Sequence, residues 1–168
     1  LPDEVEDKIE KIINENIDLP TPTGLDVGNV IESKSAQRDY IEFLKSTINC
    51  DLKGLKIVLD CAYGASSTVA PILFHELGAD VILYGSHPNG EKINVKCGST
   101  NPKVLQEIVA GTGADVGFAF DGDADRLIAV DEKGNIVDGD HIMAMCGIYL
   151  KSRGKLNKNT VVVTVMSN

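Results

Sequence analysis

The chain has 168 residues, a hydrophobic fraction of 43% and a formal net charge of -9 at pH 7, so it can form the core of one ordinary domain. Nucleic acids and anionic membranes bind through basic patches, and the acidic balance argues against both as partners. No apolar run approaches the roughly 20 residues that span a bilayer. The four cysteines are widely spaced and form no Cys-x-x-Cys pair, which favours reduced thiols in a cytoplasmic protein.

The first fifty residues are predicted to contain two amphipathic helices. Apolar residues recur at helical spacing over about 3–16 and again over about 36–48. Between them, residues 18–24 are rich in proline and threonine and predict a linker. The chain begins without methionine and stops directly after an apolar segment, so we expect it to be part of a longer protein.

From Leu55 onward the pattern changes to strands that alternate with helices. The predicted strands cover residues 57–59, 81–84, 116–120, 127–130, 136–137 and 161–165. The predicted helices follow Gly64, begin at Pro102, and run from about Asp140 to Arg153. This alternation indicates an α/β layered domain with a largely parallel sheet, and the two strands after residue 126 add an antiparallel hairpin.

Three carboxylates and an arginine follow the apolar strand at 116–120. Asp121, Asp123 and Asp125 alternate along the chain, and Arg126 comes directly after them. In a straight strand, alternate side chains would lie about 6.6 Å apart, too far to share one ion. The small residues Gly122 and Ala124 allow the backbone to curl, so the carboxylates can converge. Oxygen ligands suit a hard cation such as Mg²⁺, and an adjacent arginine can bind a phosphate.

Three other interpretations explain part of this segment. Runs of aspartate and glycine often form plain turns. An EF-hand calcium loop would use the three aspartates and Glu132, but its glycine position is occupied by Arg126 and its flanks read as strands. The segment also resembles the haloacid-dehalogenase phosphatases, in which Asp121 would be the nucleophile and Asp123 the acid/base. That family usually has threonine or valine at the position of Asp125, and its later acidic element is missing.

The stronger resemblance is to the α-D-phosphohexomutases. Their metal loop is usually written Asp-Gly-Asp-Gly-Asp-Arg, and residues 121–126 differ from it only at Ala124. Further segments resemble the bacterial phosphoglucosamine mutase branch of this family: residues 60–65, 88–94, 97–102, 131–140 and 164–168.

This resemblance implies a four-domain cytoplasmic enzyme, of which the chain would supply domain 2. The implied fold is a three-layer α/β/α sandwich with a four-stranded mixed, mostly parallel sheet. Residues 1–20 would be the last helix of domain 1 and a linker, residues 21–53 a connecting segment with a helix, and residues 54–168 the metal-binding domain. The other partners would be domains 1, 3 and 4 of the same polypeptide and a small sugar phosphate.

The resemblance also implies a reaction and roles for four residues. Glucosamine 6-phosphate and glucosamine 1-phosphate would be interconverted through a phosphoserine and a bisphosphate, with the serine on domain 1. Asp121, Asp123 and Asp125 would hold Mg²⁺, which would also bind a phosphoserine oxygen. Arg126 would offset charge on the transferred phosphoryl group. The implied alternatives are a phosphomannomutase or a phosphoglucomutase of the same family.

Overall fold

The computed structural model describes residues 1–167, which fall into two compact units. The division lies between Leu1–Lys34 and Ser35–Asn168. The first unit contains helix α1, Asp3–Asn14, which confirms the helix predicted at 3–16; none of its residues is buried. The domain boundaries predicted from the sequence at residues 20 and 53 remain predictions, and Asn168 lies outside the described residues.

The second unit is built around one mixed sheet. Its strands are β1 (Lys56–Asp60), β2 (Asp80–Tyr84), β3 (Val116–Phe120), β4 (Leu127–Asp131) and β5 (Ile136–Val137). Their order is β2-β1-β3-β4-β5. Strand β1 pairs in parallel with β2 and β3, whereas β3–β4 and β4–β5 are antiparallel. The predicted hairpin of β4 and β5 is therefore confirmed.

Helices cover both faces of this sheet. The helices of the second unit are α2 (Ala36–Ser46), α3 (Ala70–Glu76), α4 (Lys103–Thr112) and α5 (Gly139–Ser152). Alternate residues of a strand point to opposite faces. Val58 accordingly packs with Leu105 and Val109 of α4, while Ile57 and Leu59 lie in a second cluster that includes Ala70 and Phe74 of α3. This arrangement confirms the predicted α/β/α layering.

The observed sheet differs from the expectation in two respects. The resemblance implies a four-stranded, mostly parallel sheet, whereas the observed sheet has five strands and two of its four strand pairs are antiparallel. The strand predicted at 161–165 is wrong, because this segment joins no sheet and Val162 and Val165 are 90% and 99% exposed. An apolar segment becomes a strand only where another strand offers hydrogen bonds, and among residues 1–167 none lies beside it.

No helix among residues 1–167 is both long and apolar enough to cross a membrane. All four cysteines are free, as expected; Cys61 and Cys97 are buried, and Cys50 and Cys146 are exposed.

Close packing between β3 and α4 predicts a large effect of one added methyl group. A Cβ at Gly117 would lie 2.6 Å from Cγ2 of Val109 and 2.7 Å from Cδ1 of Leu105. We expect Gly117→Ala to lower the free energy of unfolding by about 1–3 kcal/mol, measured by urea denaturation. The control is Gly111→Ala on α4, where a Cβ would meet no heavy atom within 4 Å. It should raise stability by up to about 1 kcal/mol. Equal stability of Gly117→Ala and the parent would contradict this packing.

Candidate metal centre

The three aspartates lie in the loop that joins β3 to β4. The last residue of β3, Phe120, pairs with the first residue of β4, Leu127, so residues 121–126 close an antiparallel connection. Because β1 and β3 run in parallel, the loop emerges at the same edge of the sheet as the segment that follows β1. The carboxyl ends of parallel strands are where α/β sheets commonly place their ligand sites.

The loop curls sharply enough to bring the three predicted side chains together. Ala124 has φ +64°, a left-handed conformation, and its N–H donates to the carbonyl oxygen of Asp121 at 3.2 Å. One carboxylate oxygen from each of Asp121, Asp123 and Asp125 lies within 4.8 Å of the others. Asp121 is buried, while Asp123 and Asp125 are exposed. The group is therefore closer together than alternate side chains of a straight strand could be.

Arg126 lies beside this group. Its backbone N–H donates to Oδ1 of Asp121 at 3.1 Å, and its Nε lies 3.8 Å from both Oδ2 of Asp121 and Oδ1 of Asp125. The side chain is 70% exposed. The guanidinium therefore flanks the acidic group while most of it faces solvent, where an anionic ligand could meet it.

The crowded charges make the carboxyl groups unequal. The pKa of Asp125 is raised, mainly by a shared hydrogen bond with Asp121 and by the negative charge of Asp123. Burial favours the protonated form of Asp121, but the Arg126 N–H and the hydrogen bond with Asp125 outweigh it and hold the pKa of Asp121 below its ordinary value. Carboxylates this close repel one another when all are ionised, and a cation among them would relieve that repulsion.

The donor set fits a hard divalent cation. All three candidate ligands are carboxylate oxygens, with no thiolate or imidazole in the group. Mg²⁺ usually keeps several waters and is held by one or two carboxylates together with oxygens of a substrate phosphate. Two exposed members leave room for such additional oxygens. The arrangement can therefore hold a cation next to an arginine, and this combination favours the binding of phosphoryl groups.

Backbone hydrogen bonds from two other loops hold the acidic loop from both sides of Asp121. The N–H of Ser99 donates to the carbonyl oxygen of Phe120 at 2.8 Å, and the N–H of Ala65 donates to the carbonyl oxygen of Gly122 at 2.8 Å. We call these two bonds the amide clasp. No local sequence pattern predicts the clasp, although the segments 60–65 and 97–102 are among those that resemble the family.

The amide clasp requires glycine directly before each of its two donor residues, at Gly64 before Ala65 and at Gly98 before Ser99. A Cβ at Gly98 would lie 2.4 Å from the carbonyl oxygen of Phe120, and Gly98 also has φ +72°. A Cβ at Gly64 would lie 2.2 Å from the carbonyl oxygen of Gly122. Real Cβ atoms do not approach a backbone oxygen so closely, so the two loops can reach the acidic loop only because these residues have no side chain.

The chain is similar to phosphoglucosamine mutases of several bacteria. Over all of its 168 residues it is 70% identical to a phosphoglucosamine mutase of Thermoanaerobacter sp. (strain X514), of which it covers 38%. It is 58% identical, over an alignment of 170 residues, to a phosphoglucosamine mutase of Clostridioides difficile (strain 630), again covering 38%. The chain thus spans well under half of the length of the curated relatives that it matches.

A solved structure and a family profile agree with these relatives. A phosphoglucomutase/phosphomannomutase family protein from Burkholderia thailandensis superposes with a TM-score of 0.69 and is 25% identical; the match covers 90% of this chain and 32% of that one. The profile described as "Phosphoglucomutase/phosphomannomutase, alpha/beta/alpha domain II" matches residues 38–134, more than half of the chain. The chain therefore belongs to the phosphoglucomutase/phosphomannomutase family and contains its α/β/α domain II.

Proposed function

We propose that the chain is the metal-binding domain of a phosphohexomutase that interconverts glucosamine 6-phosphate and glucosamine 1-phosphate. The observation that carries this proposal is the 70% identity to a phosphoglucosamine mutase over the whole chain. The convergence of three carboxylate oxygens within 4.8 Å supports it, because a phosphoryl transfer between anionic partners needs concentrated positive charge.

The proposed roles divide between the aspartates and the arginine. Asp121, Asp123 and Asp125 would hold Mg²⁺, which when bound would supply Lewis acidity and a template for phosphoryl oxygens. Arg126 would place a permanent positive charge beside the transferred group. Its N–H bond to Asp121 would keep that carboxylate ionised and oriented.

The remaining parts of the reaction would come from the rest of the polypeptide. We propose that a phosphoserine on another domain exchanges its phosphoryl group with the sugar phosphate through a bisphosphate intermediate. In this scheme residues 1–20 end the preceding domain and residues 54–168 form the metal-binding domain. We also propose a cytoplasmic location, in accordance with the four free cysteines.

The second candidate function is the same phosphoryl-transfer reaction on a different sugar phosphate. The Burkholderia thailandensis structure and the family profile carry the words phosphoglucomutase and phosphomannomutase, so glucose or mannose phosphates are the competing substrates. The family match does not favour the dehalogenase-type phosphatase, in which Asp121 would be the nucleophile.

Substrate choice can be measured on the full-length protein with Mg²⁺ present. We expect conversion of glucosamine 1-phosphate to exceed that of glucose 1-phosphate and mannose 1-phosphate in kcat/KM. The phosphorylated protein should carry an acid-stable phosphoserine outside residues 1–168. A hydroxylamine-labile acyl phosphate on Asp121 would instead identify a phosphatase, and a preference for mannose 1-phosphate would identify the second candidate.

Loss of one carboxylate ligand should abolish most activity without unfolding the protein. Asp123 is exposed, so Asp123→Asn should change the free energy of unfolding by no more than about 0.5 kcal/mol. Turnover of the full-length protein should fall by at least about 100-fold, and Mn²⁺ binding should weaken in parallel. Asp80→Asn, at the opposite end of the sheet, is the control and should leave both quantities unchanged. Near-parental activity of Asp123→Asn would contradict the metal site.

Removal of the arginine should separate turnover from metal binding. We expect Arg126→Gln to lower kcat by about 100-fold, because a charge that stabilises the transferred group is lost. Metal affinity should stay equal or rise, since a positive charge 3.8 Å from two aspartates is removed. Arg153→Gln, whose side chain lies over the ring of Tyr149, is the matched control. A large loss of metal affinity with unchanged kcat would show that the assigned role is wrong.

A further inference from the structure

Asp60 is a fully buried carboxylate that none of the roles above uses. It is the last residue of β1 and is 0% exposed. Its Oδ1 accepts the N–H of Ala62 at 2.9 Å, and its Oδ2 accepts the N–H of Gly98 at 2.6 Å. Among the described residues, no lysine, arginine or histidine lies within 4.0 Å of it. The two backbone amides are therefore its partners.

The hydrogen bond accepted by Oδ1 of Asp60 shapes the turn that precedes Ala65, the donor of one of the two bonds of the amide clasp. Ala62 and Tyr63 both have left-handed backbones, with φ of 49° and 57°. The turn closes where the N–H of Gly64 donates to the carbonyl oxygen of Cys61 at 2.9 Å. The next residue, Ala65, donates the N–H that holds Gly122. The carboxylate thus stabilises an unfavourable backbone that ends at the acidic loop.

The hydrogen bond accepted by Oδ2 of Asp60 fixes the loop that carries Ser99, the donor of the other bond of the clasp. Gly98 donates to Asp60, and its neighbour Ser99 donates to the carbonyl oxygen of Phe120 at 2.8 Å. The two halves are also joined to each other, because the N–H of Asn94 donates to the carbonyl oxygen of Ala62 at 3.2 Å. One carboxylate therefore connects both loops whose amides flank Asp121.

We propose that Asp60 is a positioning residue for the metal centre: it holds the two loops of the amide clasp, and these orient Asp121 toward the cation. This inference rests on the proposed function for the identity of the reaction, but not for metal binding itself. Groups that hydrogen-bond around metal ligands commonly contribute 10–100-fold to metal affinity.

A purely stabilising role would not account for a charged group at this position. Burial raises the pKa of Asp60, although the bonds from Gly98 and Ala62 oppose the shift. A raised pKa in the folded state means that this group contributes less to stability once the pH passes from its ordinary pKa of 3.8 through the folded value. Ionisation of this buried carboxyl group therefore costs folding free energy, and its two hydrogen bonds to the loops supply a geometric reason for its presence.

The test is Asp60→Asn in the full-length protein. Asparagine has a similar shape but only one acceptor oxygen, so its NH₂ group must face one of the two backbone N–H donors. We expect the Kd for Mn²⁺, measured by electron paramagnetic resonance, to rise about tenfold or more while unfolding remains cooperative. The Mg²⁺ concentration for half-maximal activity should rise similarly, and turnover at saturating Mg²⁺ should approach that of the parent.

A matched control is Asp131→Asn. Oδ1 of Asp131 also accepts two backbone N–H groups, from Lys133 at 3.0 Å and Asn135 at 2.7 Å, but in the β4–β5 turn. This variant should lower the melting temperature and leave the Mn²⁺ Kd unchanged. Parental Mn²⁺ affinity in folded Asp60→Asn would overturn the inference.

A second variant serves if Asp60→Asn fails to fold. Ala65 is exposed and begins a short 3-10 helix, where the fixed φ of proline is tolerated. Ala65→Pro removes the N–H that holds Gly122 and places the proline Cδ against the carbonyl oxygen that this N–H bound, so it breaks the Ala65 half of the amide clasp. Its Mn²⁺ Kd should also rise about tenfold, and an unchanged value would overturn the inference.

If the variants lose Mn²⁺ affinity but the parent converts no hexose phosphate, the proposed function fails and the inference stands. If the parent binds no Mn²⁺, both the metal site and the inference fail.

Discussion

Two backbone hydrogen bonds, to the carbonyl oxygens on either side of Asp121, hold the loop on which the rest of the site depends. Three carboxylates within 4.8 Å repel one another, and two of them are exposed and free to separate. The loop itself contains one internal backbone bond, from Ala124 to Asp121. The amides of Ala65 and Ser99 therefore supply from outside much of the rigidity that the acidic loop lacks.

The strand order of the sheet places those amides within hydrogen-bonding distance of the acidic loop. Strands β1 and β3 are parallel neighbours, so the segment that follows Asp60 emerges beside the loop that follows Phe120. Glycine at 64 and 98 then permits backbone to touch backbone without an intervening side chain. The buried cores on the two faces, against α3 and α4, keep the strands in this register. Packing far from the acidic group thus decides its geometry.

Local patterns were sufficient to predict most elements and the acidic group. The near-complete burial of β1, the alternation of buried residues in β3, the hairpin of β4 and β5, and the curl at Ala124 follow from side-chain size and polarity over a few residues. The strand predicted at 161–165 was wrong because an apolar segment does not specify its own hydrogen-bond partner. Asp60 was missed for a related reason: only its burial and its two distant donors distinguish it from an aspartate in a turn.

The sequence by itself determined the chemistry that is possible here: oxygen donors at 121, 123 and 125, a permanent positive charge at 126, and residues small enough to let the chain bend. Only the tertiary structure decided that the donors converge and that the loops near 65 and 99 clasp their backbone. Such contacts join residues that are remote along the chain. Their formation depends on the closure of long loops around a packed sheet, and no short sequence pattern encodes that outcome.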